Sequence, residues 1–314
     1  MPDDLPKYDQ LPVREGAPPN SAWGLWGDDD ELGCLNLLTP ERTTAAANLV
    51  RTGECFPLNL RIDRPDPPLY GRGAVRHTIT GEGGNGRDDY LDKFWPQASS
   101  QWDSLRHIRH PGYGFYNGVP DDQIVAGDTG RLGIDTMARR GIAGRGVLLD
   151  IARHKQVDCR SSDLITPADL DSCAERQGVE VRAGDILLLR TGWLKWYTDD
   201  CTPDERAAMP DRAVLRAPGL GPAGEMAAWL WDHGVAAVAA DNPALESWPP
   251  RVESGDFMHW RLIPLLGMPI GELWWLEDLA DACAADGRYE FFLTSAPLNV
   301  PGGVGSPPNA LAIK

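Results

Sequence analysis

The side chains most capable of chemistry gather in one stretch, Gln97-Ala98-Ser99-Ser100-Gln101-Trp102-Asp103-Ser104-Leu105-Arg106-His107, with His110 close behind. Side chains of an extended chain alternate between faces, so in a strand Gln101 and Asp103 share a face and their oxygens can converge on one ion. A second pair is His259 and Glu272, separated by the apolar Leu262, Ile263, Leu265 and Leu266 and the turn-like Gly267-Met268-Pro269. A helix followed by a strand returns that pair to a common point. Imidazole with carboxylate is a hydrolase ligand set and suits Zn²⁺ or Mn²⁺. Taken singly, an aspartate or histidine of this kind serves equally to cap a helix or satisfy a core, so the residues alone leave both roles open.

These groups need elements to hold them. Thr39-Pro40-Glu41-Arg42 combines a capping threonine, a first-turn proline and an acidic residue, which predicts a helix through Val50. Thr166-Pro167-Ala168-Asp169 starts another, and residues 221–233 read as an amphipathic helix carrying Trp229 and Trp231. Residues 56–62 alternate like a half-buried strand, while 146–151, 185–190 and 235–240 are short apolar runs of the kind that fill a sheet interior. Strands and helices alternate without a repeat or low-complexity linker, which predicts a single α/β domain over 21–314 behind an extended, proline-containing arm over 1–20. Residues 63–89, dense in proline, glycine and charge, are expected to form a mobile lid or interface loop.

The chain of 314 residues is 42% hydrophobic and 24% charged, the composition of an ordinary globular protein. Its net charge of −16 disfavours nucleic acid and anionic membranes as partners, leaving small molecules and proteins. There is no signal-like apolar core at the start and no run of ~18 apolar residues, so a cytoplasmic location is expected. Six cysteines lie far apart without a C-x-x-C pair and read as reduced thiols. Twelve tryptophans suit a core, a pocket wall or an interface. Gly302-Gly303-Val304-Gly305 lacks the Gly-Lys-Ser/Thr of a phosphate loop, and no G-x-S-x-G elbow signals a serine hydrolase. Asp241, Asn242 and Glu246 follow an alanine-rich strand, where they orient a ligand or a histidine, or else simply bond a turn before Pro243.

Several blocks in order give the chain a family resemblance: Trp23-Gly24, residues 29–38 (DDELGCLNLL), Thr39-Pro40-Glu41, residues 141–150 (GIAGRGVLLD), residues 184–193 (GDILLLRTGW), residues 240–246 (ADNPALE) and residues 301–307 (PGGVGSP). It resembles the cyclase family of metal-dependent hydrolases, the group containing bacterial kynurenine formamidase and isatin hydrolase. That family carries H-x-G-T-H-x-D-x-P-x-H, whose first two histidines and aspartate bind metal and whose last histidine is an acid or base. Aligned on Asp103, this chain has Gln97, Ser99, Ser100, Gln101, Leu105 and His107 at the other defined positions. Amides replace both ligand histidines, and an amide oxygen is a poorer ligand for a borderline-soft ion. The resemblance implies a β/β/α swivelling-type fold, a homodimer or homotetramer, and hydrolysis of an amide, formamide or lactone bond. It implies a Zn or Mn site built from Asp103, His259 and Glu272, with Gln101 as a weaker ligand and Gln97 weaker still. His107 is the implied general base, and His110 has no counterpart in the motif. Loss of the two histidines also suits a metal-free small-molecule binder, or a cyclase or dehydratase of polyketide-type metabolism.

Overall fold

Val147-Leu148-Leu149, Leu187-Leu188-Leu189 and Ala237-Val238-Ala239-Ala240 are apolar on both faces, which suits strands covered on both sides. In the computed structural model, which describes residues 5–314, they form the middle of a nine-stranded sheet. In chain order the strands are β1 (Cys55–Pro57), β2 (Arg76–Thr80), β3 (Asp88–Asp92), β4 (Gln101–Asp103), β5 (Ile142–Asp150), β6 (Leu164–Ile165) and β7 (Ile186–Arg190). There follow β8 (Gly219–Leu220), β9 (Ala237–Ala240), β10 (Ile270–Glu272), β11 (Glu290–Ser295), β12 (Gly305–Ser306) and β13 (Ala310–Ile313). The large sheet is ordered β1-β13-β11-β5-β7-β9-β10-β4-β12. Strands β5, β7, β9 and β10 are parallel, and the pairings outside them are antiparallel.

The register sets up the site. One row crosses the sheet from Leu148 through Leu188, Ala239, Gly271 and Trp102 to Ser306. The neighbouring pair is Gln101 opposite Glu272, so these two side chains, like Asp103, leave the sheet on the face that Trp102 does not occupy. On Trp102's side, Gly271 leaves room for the Trp274 indole, since a Cβ there would lie 2.7 Å from its Nε1 and 2.6 Å from the Ala239 methyl. Trp102 and Trp274 meet edge to face at 4.7 Å, and their indole N–H groups donate to Ser295 Oγ and to the Gln101 carbonyl, each at 3.0 Å. The back of the site is therefore locked both by packing and by hydrogen bonds.

Helices cover the sheet; two begin at the predicted Thr-Pro signals, the first of them ending at Ala47 rather than Val50, and the helix expected over 221–233 spans Ala223–Asp232. Thr39 caps Pro40–Ala47 by accepting from Arg42 N, and Thr166 forms a reciprocal capping box with Asp169 at the head of Pro167–Gln177. The helix Ala223–Asp232 carries buried Trp229 and Trp231. The chain before residue 20 lies against it: Trp231 Nε1 donates to the Pro6 carbonyl at 2.8 Å and Tyr8 N to Asp232 at 2.8 Å. A continuous apolar core runs from Leu11 to Ala312, giving a mixed α/β single domain. Among the described residues no helix is long and apolar enough to cross a membrane.

Two expectations change. The alternation over 56–62 extends further than the strand, which is Cys55–Pro57. Residues 63–89 are not loop throughout, because Arg76–Thr80 pairs with Asp88–Asp92 as a hairpin, closed by His77 Nε2 and Asp89 Oδ2 at 2.7 Å. Both hairpin strands are largely exposed, so no apolar face marked them in the sequence.

Candidate metal centre and active site

Asp103 ends β4, Glu272 ends the neighbouring β10, and His259 stands in the short turn Met258–Trp260 that precedes it. Between His259 and Glu272 the chain winds as a π-helix over Arg261–Leu266 and closes at Gly267, whose φ of 64° is left-handed. One ligand atom from each of Asp103, His259 and Glu272 lies within 4.8 Å of the others, and all three residues are buried. His259 Nε2 is 3.2 Å from Glu272 Oε1 and 4.0 Å from Asp103 Oδ2. Its other nitrogen, Nδ1, meets both oxygens of Glu246 at 2.8 and 2.9 Å. With Nδ1 carrying the proton to Glu246, the Nε2 lone pair is turned toward the two carboxylates, the arrangement of a metal-binding histidine with a carboxylate behind it.

Both carboxylate oxygens of Asp103 are buried without a hydrogen-bond partner among the described residues, as is Gln101 Oε1. Unpaired buried carboxylate oxygen is costly unless a cation satisfies it. The donor set, two carboxylates and an imidazole with an amide oxygen nearby, fits a divalent transition metal. Gln101 is the weak point: its Nε2 donates to Glu272 Oε2, so the amide presents nitrogen rather than oxygen to that carboxylate. Gln97 does not join the cluster. Its carbonyl accepts from Arg72, and its side chain packs against Gly305.

His107 Nε2 lies 3.7 Å from Asp103 Oδ2, and its ring centre is 6.3 Å from that of His259. Burial, with smaller contributions from the positive charges of His259 and Arg72, lowers its pKa against the pull of Asp103. That direction favours the neutral imidazole, the form able to accept a proton. Burial also raises the Asp103 pKa, with Glu272 adding to the effect and the two histidines opposing it. For His259 burial alone would lower the pKa, but Glu246 and Glu272 together hold it well above the ordinary value.

His107, His259 and Glu272 face a cavity of about 240 Å³ whose wall includes Tyr70, Phe257 and Trp248. Tyr70 has a left-handed φ of 61° and its hydroxyl donates to the Pro243 carbonyl at 3.2 Å. Arg72 and Arg212 also line this space. Tyr70 and Arg72 belong to the segment 63–89 expected as a lid or interface loop, whereas Arg212, Trp248 and Phe257 come from segments that carry no motif.

Asp241, Asn242 and Glu246 divide between the two roles open to them. Asp241 accepts from Thr191 N and Oγ1 and from Gly192 N, tying β9 to the end of β7. Asn242 Nδ2 donates to Pro218, Leu245 and Glu246 carbonyls and shapes the turn. Only Glu246 reaches the site. His110 is outside it, packed on Tyr113 and Trp260 with Nδ1 accepting from Gly112 N. Asp135 pairs with Arg139 and accepts from Gly302 N.

The cyclase family model, described as "Putative cyclase", matches residues 51–247, which include Asp103, His107 and Glu246 but stop short of His259 and Glu272. A solved structure described as a novel cyclase is 40% identical, with 94% of this chain and 99% of that chain covered and a TM-score of 0.83. An isatin hydrolase bound to the product analogue thioisatinate is 15% identical over 82% of this chain and 91% of that one, with a TM-score of 0.57. Isatin hydrolase A from Ralstonia solanacearum is 18% identical over 88% and 98%, with a TM-score of 0.56. These two share the fold. No curated protein matches the chain. The extent of the family match, with the closely similar solved cyclase, shows that this chain belongs to the cyclase family.

Proposed function

We propose that the chain is a metal-dependent hydrolase that cleaves an amide, formamide or lactone bond of a small molecule. The observation that carries this reading is the placement of His107 on the wall of the cavity into which His259 and Glu272 also project beside Asp103. Asp103, His259 and Glu272 would hold the ion, Zn or Mn by donor type, with Glu246 orienting His259. Such an ion supplies Lewis acidity toward a substrate carbonyl and toward water.

The rest of the chemistry belongs to this chain's own groups. His107 Nε2 takes a proton from the attacking water as its oxygen bonds to the carbonyl carbon, and nearby Asp103 stabilises the resulting imidazolium. The same proton passes from His107 to the leaving nitrogen or oxygen as the C–N or C–O bond breaks. Tyr70, Trp248 and Phe257 supply an apolar wall that orients the substrate and limits bulk water.

The Gln101 to Glu272 hydrogen bond favours a second reading, a metal-free cyclase, dehydratase or binder, because a protein donor occupies one Glu272 oxygen and turns the amide nitrogen, not its oxygen, toward that carboxylate. Metal titration with a panel of aryl amides, formanilides and lactones separates them. Metal-dependent turnover abolished in His107→Ala supports hydrolysis, whereas binding without turnover in metal-loaded protein supports the second reading.

A further inference from the structure

We propose that the substrate is a small organic anion, a carboxylate on a flat or aromatic body, gripped by Arg72 and Arg212 at the cavity wall; this rests on the hydrolase reading of the same cavity. The Arg72 and Arg212 guanidinium carbons lie 5.2 and 5.4 Å from the centre of the Tyr70 ring, and Trp248 meets that ring edge-on at 5.1 Å. Two other arginines that stack on rings hold a carboxylate, Arg14 over Trp23 with Asp28 at 3.0 Å and Arg160 over Trp196 with Glu205 at 2.8 Å, while Arg206 over Tyr197 donates to the Thr198 carbonyl and does not line this cavity. Arg72 and Arg212 make no such ion pair among the described residues. In a chain of net charge −16, cations left beside an aromatic wall are notable, because acidic partners are plentiful elsewhere on the surface.

The geometry gives each part a task. Arg72 is anchored by donating to the Gln97 carbonyl, which fixes the guanidinium with donors left over. Tyr70 is held by its bond to Pro243 and offers a face to a flat ring. Arg212 is exposed, so it can swing onto an arriving anion. Guanidinium and carboxylate match as a two-pronged, charge-assisted pair. An anion held there by its carboxylate projects the rest of its body toward His107 and Glu272 across the same space.

The test is calorimetric binding of benzoate and of benzamide, two flat rings of similar size that differ in charge, to the metal-loaded full chain. Wild type is expected to bind benzoate at least about tenfold tighter than benzamide, and Arg212→Gln and Arg72→Gln should each remove most of that preference. Arg212→Gln decides alone if Arg72→Gln fails to fold, since Arg212 lies at the surface. Equal binding of the two probes, or a preference that survives in Arg212→Gln, overturns the proposal. So does a preference that vanishes on stripping the metal while the arginine variants keep it, because the carboxylate then sits on the ion. Hydrolysis of neutral amides without a benzoate preference would sink this inference and leave the hydrolase reading intact; a benzoate preference without any hydrolysis would do the reverse.

Discussion

Replacing Glu246 by glutamine isolates what a carboxylate behind the metal-site histidine is worth. Glu246 touches His259 Nδ1 through both oxygens at 2.8 and 2.9 Å, and the residues are only 4% and 5% exposed, so solvent screens the pair little. Glutamine keeps the shape and one acceptor but loses the charge. A hydrogen bond to a charged group contributes ~1.5–3 kcal/mol, which corresponds to a roughly 10- to 150-fold loss of metal affinity. A second effect opposes it: Glu246 is the strongest of the neighbours raising the His259 pKa, so its removal also weakens the proton that competes for Nε2. The loss should therefore be greatest at high pH, where that competition is least. The assay is competition against a coloured chelator at several pH values, with circular dichroism confirming the fold. Unchanged affinity at high pH in a folded Glu246→Gln protein would refute the orientation argument, and Glu272→Gln, which removes a direct ligand, should lose more.

His107→Ala and His107→Gln should each lower turnover by about 10²–10⁴ while metal content and folding stay unchanged, with His110→Ala as the silent control; an emptied metal site in His107→Ala would make His107 a ligand instead. Since burial lowers the His107 pKa, its imidazole stays able to accept a proton below the ordinary ~6.5, so the acid limb of kcat/KM should fall below that pH and vanish in the His107 variants. An acid limb above ~7 would mean that another group controls it. Gly271→Ala should destabilise the chain by about 1–3 kcal/mol in urea unfolding, because the new methyl meets Ala239 and the Trp274 indole. A neutral result would show that the Trp274 packing is looser than these contacts imply.

The centre of the sheet was readable because its strands are short, apolar on both faces and bounded by glycine and charge, as at Leu187-Leu188-Leu189. The alternation at Gln101-Trp102-Asp103 likewise placed the two polar groups on one face. What spacing alone does not show is which distant strand lies beside it: Gln101 and Glu272 are 171 positions apart, and their partnership depends on the whole parallel crossover. Glu246 was one of three neighbouring polar residues with two open roles, and only the fold of the turn separates it from Asp241 and Asn242. Tyr70, Arg72, Arg212 and Trp248 lie in irregular segments where no period signals direction. The hairpin over 76–92 hid for a related reason, since a ribbon exposed on both sides needs no apolar alternation.

The most direct test of the central claim is elemental analysis of the chain purified without chelating tags or buffers, beside the Asp103→Ala/His259→Ala double variant. The account predicts a tightly held divalent transition metal in the wild type, near one ion per chain, and none in a double variant shown to be folded. Full metal content in that variant would contradict the site, and hydrolysis by a wild type that neither carries nor responds to metal would contradict the mechanism.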